Sequence, residues 1–301
     1  MGSLKYEIYK MLTIGNLISS KVIVLMDGGI CSQMNQYLLG QCYIKRGLSV
    51  YYDMSFFKEW GSDLNCHFAR NFDLLKAFPY LALKEASKEM IKVYKKKYLI
   101  IGNNTEGCLK LDDFSYLYYD SPLYLGGYYQ LPSKLWLEVF HLYFQLIPEI
   151  LDASNRRLYD TIKANPYAIA VHVRRGDLKE EIFAYGKPAT LEYFQRAVSF
   201  FQEKLLTPYY YFFSDEPDWV EEVLMPQLAL NNNFMIVRMN GSDRGYMDLY
   251  LIAACKHQIT SKGTLGKYGA LLMDCPQKYV TLCDDMTEYN WRELLCNPIF
   301  L

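Results

Sequence analysis

The sequence predicts an α/β protein of two Rossmann-like domains, the C-terminal one a doubly wound parallel sheet, and three observations carry this. A chain of 301 residues exceeds what one hydrophobic core usually organises. A strand, a glycine turn, a helix and a second strand follow one another near the start, and from about residue 159 apolar strand runs alternate with helical patterns to the end. The expected division is 1–158 and 159–301.

The first element is Lys21–Met26, an apolar β-branched run that ends in Asp27-Gly28-Gly29. Met34, Tyr37, Leu38 and Cys42 then share a helical face, Gly47 stops the pattern, and Leu48–Tyr52 is the next strand. Between Phe56 and Tyr159 only one helix is legible, Ser133–Ile147. The second half is regular: strands at Tyr167–Val173, Tyr209–Phe213, Phe234–Met239, His257–Ser261 and Lys278–Leu282 alternate with helices at Leu191–Leu205, Pro217–Leu228, around Met247–Ala254, and Leu265–Met273. In such a sheet ligands bind beyond the carboxyl ends of the strands.

Composition narrows the partners. Hydrophobic residues at 51% and charged residues at 22% are those of a folded globular chain, and a net charge of −1 supplies no field for nucleic acid. Eight cysteines form no C-x-x-C pair, so they read as reduced thiols of a cytoplasmic protein. Met11–Ser20 is too short and too polar for a signal peptide, and no later apolar run has membrane-spanning length. The 28 tyrosines read first as packing, with sugar stacking as the alternative.

His172-Val173-Arg174-Arg175-Gly176-Asp177 stands where a buried strand meets its loop. Paired guanidiniums at that place suit a diphosphate, because each forms bidentate bonds to phosphate oxygens. Thr264 sits near a helix start, where amides hold phosphate. Aspartates spaced D-x-D, the usual grip on a divalent cation, are absent from the chain; the adjacent pairs Asp112-Asp113 and Asp284-Asp285 read as solvated turns. No metal and no cofactor is expected.

The H-x-R-R-G-D element resembles that of the bacterial α-1,2-fucosyltransferase family, glycosyltransferase family 11. Four further segments resemble family elements. Phe213-Ser214-Asp215-Glu216 with Asp218-Trp219 is similar to the family's F-S-D-D...W element, and Asp248 through Cys255-Lys256-His257 to its D-x-x-L-M-S-x-C-K-H stretch. Gly28-Gly29-Ile30-Cys31-Ser32-Gln33-Met34 resembles its G-G-L-G-N-Q-M loop, and Tyr124–Tyr129 a Y-L-x-G-Y-W segment. Two departures stand out: Cys31-Ser32 replace a glycine and an asparagine, and Ser261-Lys262-Gly263-Thr264-Leu265-Gly266-Lys267-Tyr268 lacks both tryptophans of N-S-S-F-S-W-W-G-A.

The resemblance implies a GT-B-type architecture with an acceptor-side first domain and a nucleotide-sugar-binding second domain. It implies inverting, metal-independent transfer of L-fucose from GDP-β-L-fucose to a galactose-terminated oligosaccharide or lipid-linked glycan, forming an α-1,2 linkage. Arg175, Asp177 and His172 are then the catalytic candidates, with Arg175 leading on the phosphates. Arg174, Gly28, Gly29, Gln33, Asp215, Asp248, Ser261 and Thr264 are the donor-binding candidates. Asp215 and Asp248 serve guanine or ribose on this reading, and helix capping on the other. Four carboxylates, Asp177, Glu180, Glu181 and Asp27, are candidate bases, Asp177 first.

Two rivals differ in class: a nucleotide-sugar-binding protein without catalysis, and a dehydrogenase, which the missing G-x-G-x-x-G disfavours. Lys84–Tyr98 places lysines at helical spacing beside Met90, Ile91 and Tyr94, a candidate for peripheral contact with the inner face of a membrane.

Overall fold

The computed structural model describes residues 2–14, 21–62, 66–95, 98–101, 114–119, 122–127, 131–179, 187–283 and 291–301. They divide into two units, one of Met1–Ser62, Arg70–Leu75 and Pro79–Tyr143, the other of Asp63–Ala69, Lys76–Phe78 and Phe144–Leu301. The main change of unit thus falls at 143/144, ahead of the expected 158/159. The reason is packing, since helix Ala153–Ala164 lies against helix Gly245–Ala254 of the second unit.

The first unit holds a four-stranded parallel sheet in the order β2-β1-β4-β3, with β1 Lys21–Leu25, β2 Ser49–Asp53, β3 Tyr98–Ile101 and β4 Leu123–Gly127. Helices of seven or more residues are α1 Gly2–Ile14, α2 Ile30–Lys45, α3 Lys88–Tyr94 and α4 Ser133–Tyr143. Helix α2 packs on β1 and β2, and its buried face runs through Met34, Tyr37, Leu38 and Cys42, the residues whose spacing predicts it. The sequence reading places no element at α1, β3 or β4.

The second unit holds six parallel strands in the order β10-β9-β8-β5-β6-β7: β5 Ala168–Val173, β6 Tyr209–Ser214, β7 Phe234–Val237, β8 His257–Thr260, β9 Val280–Leu282 and β10 Pro298–Phe300. Counted from β5, this is the doubly wound 3-2-1-4-5-6 order, whose direction reverses between β5 and β8. All six residues of β5 are buried, because it pairs with β6 on one side and β8 on the other. Its helices are α5 Ala153–Ala164, α6 Leu191–Lys204, α7 Gly245–Ala254 and α8 Leu265–Leu272.

The helix expected over Pro217–Leu228 is broken into an α-turn at Pro217–Trp219, a wide π-turn at Val220–Leu224 and a 3-10 turn at Met225–Gln227. Pro226 has no N–H to return to the preceding turn, so a regular helix cannot continue through it. The expected helical lysine face of Lys84–Tyr98 is likewise shorter. Lys84 and Glu85 run extended beside Tyr52, the helix covers only Lys88–Tyr94 behind an Ser87 cap, and Tyr98 begins β3. Lys96 and Lys97 lie outside the described residues, as do Glu180, Glu181 and Tyr128-Tyr129.

Two parallel α/β units are the components of the expected two-domain architecture.

Candidate active site

The turn after β5 is tied down from both neighbouring strands. On the β6 side, Ser214 Oγ donates to the Val173 carbonyl at 2.8 Å, and the Asp215 carboxylate accepts from the amides of Arg175 and Gly176, each at 3.0 Å. On the β8 side, buried Ser261 Oγ accepts from the Arg174 amide at 2.9 Å. Burial raises the Asp215 carboxyl above its ordinary pKa, and the Arg175 amide bond opposes that. Gly176 is closely approached: a Cβ there would stand 2.6 Å from the tip of the Phe68 ring and 2.9 Å from the Asp215 carboxylate.

The two arginines of this turn take different partners. Arg174 turns to Asp177, whose buried carboxylate receives the guanidinium on two sides, with Nε–Oδ1 at 3.0 Å and Nη2–Oδ2 as the second bond. Its Cδ passes Gly263, where an added Cβ would come within 3.0 Å; Gly263 also has φ +78°, a backbone that favours glycine. Arg175 goes the other way. Its guanidinium carbon lies 3.6 Å from the Trp219 ring centroid, and Nε donates to Glu216 at 3.2 Å. Glu216 also pairs with Lys179.

His172, on the face that Arg174 shares, packs against α8. A Cβ on Gly266 would be 2.8 Å from His172 Cβ, so the helix approaches the strand only because that position is bare. Burial, with the nearby Arg174 and Lys267 charges, pushes the imidazole down to about 3, and its buried Nδ1 has no hydrogen-bond partner among the described residues. His172 is therefore a neutral base inside the sheet layer. Thr264 stands at the N-cap of α8 without a side-chain capping bond, next to Gly263 and hence beside Arg174.

The fold thus gathers His172, Arg174, Arg175, Asp177, Asp215, Ser261 and Thr264 at one end of β5, at the point where the sheet order reverses. Asp248 belongs to another group, accepting from Asn240 at 2.8 Å, while Asn240 and Asn155 bond each other. Burial pushes its carboxyl up to about 7.

In the first unit, Gly28 and Gly29 form the turn after β1, Gly28 with φ +69° and Gly29 as the N-cap of α2. Gln33 is fully buried. Its Nε2 donates to the carbonyls of Gly28 (3.0 Å) and Asn71 (2.8 Å), and its Oε1 accepts from the amides of Asp73 (2.9 Å) and Leu74 (3.0 Å). Two protons and two lone pairs are all that a carboxamide has. Gln33 therefore ties the glycine turn to the 71–74 segment, which corrects its expected role as a donor contact. Asp27 exchanges two bonds with Gln36, and burial raises its carboxyl.

Residues 81–286 match the family model described as glycosyl transferase family 11, more than half of the chain. The chain belongs to glycosyl transferase family 11. It is 24% identical over 141 residues to the O-antigen biosynthesis glycosyltransferase WbnK of Escherichia coli, a stretch that covers 46% of this chain and 45% of that relative. It therefore spans less than half the length of this curated relative. Among solved structures, Escherichia coli ADP-heptose LPS heptosyltransferase II is similar at 12% identity and a TM-score of 0.47, over 93% of this chain and 90% of that one. POFUT1 solved with GDP-fucose is similar at 11% identity and a TM-score of 0.40, over 93% and 98%.

Sequence reasoning passed over Ser214, Glu216, Trp219, Gly263 and Gly266 as site residues. Ser214, Glu216 and Trp219 lie inside a segment already singled out, and the two glycines flank Thr264, so the signal was their place at strand ends.

Proposed function

We propose that this family 11 glycosyltransferase transfers L-fucose from GDP-β-L-fucose to a galactose-terminated glycan, with inversion and an α-1,2 linkage. The observation that carries the reading is the clamped Arg174–Asp177 turn at the reversal point of the second sheet. There, a guanidinium already fixed by a carboxylate stands beside Gly263-Thr264 and the start of α8. Fixed positive groups aimed at a departing diphosphate lower the barrier at no reorganisation cost. Arg174, on the β8 side, is the better placed of the two arginines for that role, with α8 amides as helpers. Arg175, stacked on Trp219 and paired with Glu216, borders the same turn.

Asp177 acts as a positioning residue on this reading, because its carboxylate is committed to Arg174. A transition state of oxocarbenium character tolerates a weak base. Asp248, with its carboxyl near neutrality, is a candidate for donor hydroxyls or base edge. The two guanidiniums take the part a divalent cation would play. The enzyme acts in the cytoplasm on this reading, at a membrane surface when the acceptor is lipid-linked. Among the described residues no helix is long and apolar enough to cross a membrane.

Screening a glycan array with GDP-fucose, GDP-mannose and UDP-galactose tests the donor and acceptor together. Transfer is expected from GDP-fucose alone, to galactose-terminated glycans, and transfer from another donor would overturn the reading. EDTA is expected to leave turnover unchanged, and loss of activity restored by Mn²⁺ would refute the metal-free step.

A further inference from the structure

The geometry points to a binding site for an anionic phospholipid between α1 and α3 of the first unit, one acyl chain inside and the phosphate at the rim. This deepens the membrane attachment proposed above by giving it a place and a ligand. Leu4, Ile8 and Met11 of α1 are 68%, 46% and 71% exposed, and their spacing puts them in one stripe along the helix. Contiguous exposed apolar side chains mark a surface that meets something.

The stripe does not end at the surface. It runs into a cavity of about 510 Å³ whose apolar wall is Ile8 and Leu12 of α1 with Met90, Val93 and Tyr94 of α3. That volume is in the range of small-molecule sites, about 300–1,000 Å³. Ile8 belongs to both the stripe and the wall, so an apolar chain can pass from one to the other without crossing polar surface. Lys5 and Lys21 line the same cavity, with Glu89 and Ser87. Exposed Lys10, Lys88 and Lys92 lie on the same two helices, against Glu7 and Glu89.

The charge around the opening is therefore net positive and its floor is apolar. An amphiphile with an anionic head complements both features, whereas a free phosphate would leave the cavity empty. Lysines close to an anionic surface each add to binding, so several of them with one buried chain give reversible attachment. A second copy of this chain would bring its own lysines to the rim, which is why a lipid is the favoured occupant.

Co-sedimentation of the full chain with phosphatidylcholine vesicles, with and without phosphatidylglycerol, reads the attachment. Wild type is expected to sediment with the phosphatidylglycerol vesicles only, and Ile8→Asp, at an exposed position, to bind at least tenfold more weakly with an unchanged melting temperature. Lysophosphatidylglycerol below its micellar concentration is expected to slow amide exchange in α1 and α3 of wild type but not of Ile8→Asp, and inorganic phosphate to do neither. A Lys88→Gln/Lys92→Gln variant separates the two levels. If it loses vesicle binding while Ile8→Asp keeps it, attachment stands on charge alone and the cavity site falls. No binding by wild type overturns both, and a dimer that Ile8→Asp dissociates would assign the stripe to self-association.

Discussion

The two units end their first central strand in different ways. After β1 the chain makes a neutral turn, Gly28-Gly29, held by the carboxamide of Gln33. After β5 it makes a charged turn, Arg174-Arg175-Gly176-Asp177, held by a carboxylate and two hydroxyls from the strands on either side. Both turns lie at the carboxyl end of a parallel sheet, where backbone amides and strand-end side chains meet ligands. The neutral turn offers shape and open backbone; a Cβ on Gly29 would meet nothing within 4 Å. The charged turn offers fixed positive charge.

The sharpest way to break this contrast is within the charged turn itself. Arg174→Ala is expected to lower turnover about a hundredfold, the size seen when one preorganised transition-state contact is lost. Arg174→Lys should recover little, because an ammonium cannot fill the two-sided bond to Asp177. Arg175→Ala is expected to cost less in turnover. Steady-state kinetics with GDP-fucose decide it, and a larger loss at Arg175 than at Arg174 would return the phosphate role to Arg175.

The second test concerns charge buried in the second unit without a partner. Lys278 is 2% exposed, its Nζ has no hydrogen-bond partner among the described residues, and burial pushes the amine down to about 8. Its folded pKa lies below its unfolded value near 10.4, so the unfolded chain binds the extra proton between those values and stability rises with pH there. Below pH 8 the charged amine is a cost. Lys278→Met is therefore expected to be more stable at pH 7, by on the order of 3 kcal/mol, with the advantage shrinking from pH 8 to 10.5. Chemical denaturation of both proteins at pH 7, 9 and 10 measures it, and a Met variant that is less stable at pH 7 would refute the account.

The neutral turn should respond in stability rather than chemistry. Gln33→Leu leaves the buried amides of Asp73 and Leu74 unpaired, a loss of about 2 kcal/mol. Turnover per folded molecule should change less than fivefold, as active-site titration would show. A hundredfold loss with the fold intact would give Gln33 a direct part in binding.

Much of the second unit was legible because its signals are local. Its five predicted strands lie within about two residues of their expected bounds, and β5 and β6 show most clearly the apolar or aromatic run of a strand covered on both faces. β10 escaped notice because Pro298–Phe300 is too short to show a pattern. The helix over 217–228 was misread because Pro226 lies late in an otherwise helical run. The site divides the same way. Two charges leaving a buried strand single out Arg174 and Arg175, but which one meets Asp177 is set by the fold of the turn beyond β5. His172 packs against Gly266 of α8 and Arg174 against Gly263 just before it, neighbours that lie about ninety residues on in the chain. The tasks of Gln33 and Asp215 were out of reach, because their partners are 38 to 41 residues away in the chain.

The stack of Arg175 on Trp219 gives the enzyme an optical reporter. Indole emission depends on nearby charge, and here a guanidinium sits 3.6 Å above the ring. Trp136 and Trp291 are buried elsewhere in the chain and Trp60 is exposed, so a Trp60→Phe background leaves Trp219 as the tryptophan most open to change. A ligand at the charged turn that shifts Arg175 would uncover that ring. Titration of the unlabelled protein then reads ligand arrival at the charged turn directly, in a cuvette and without an acceptor.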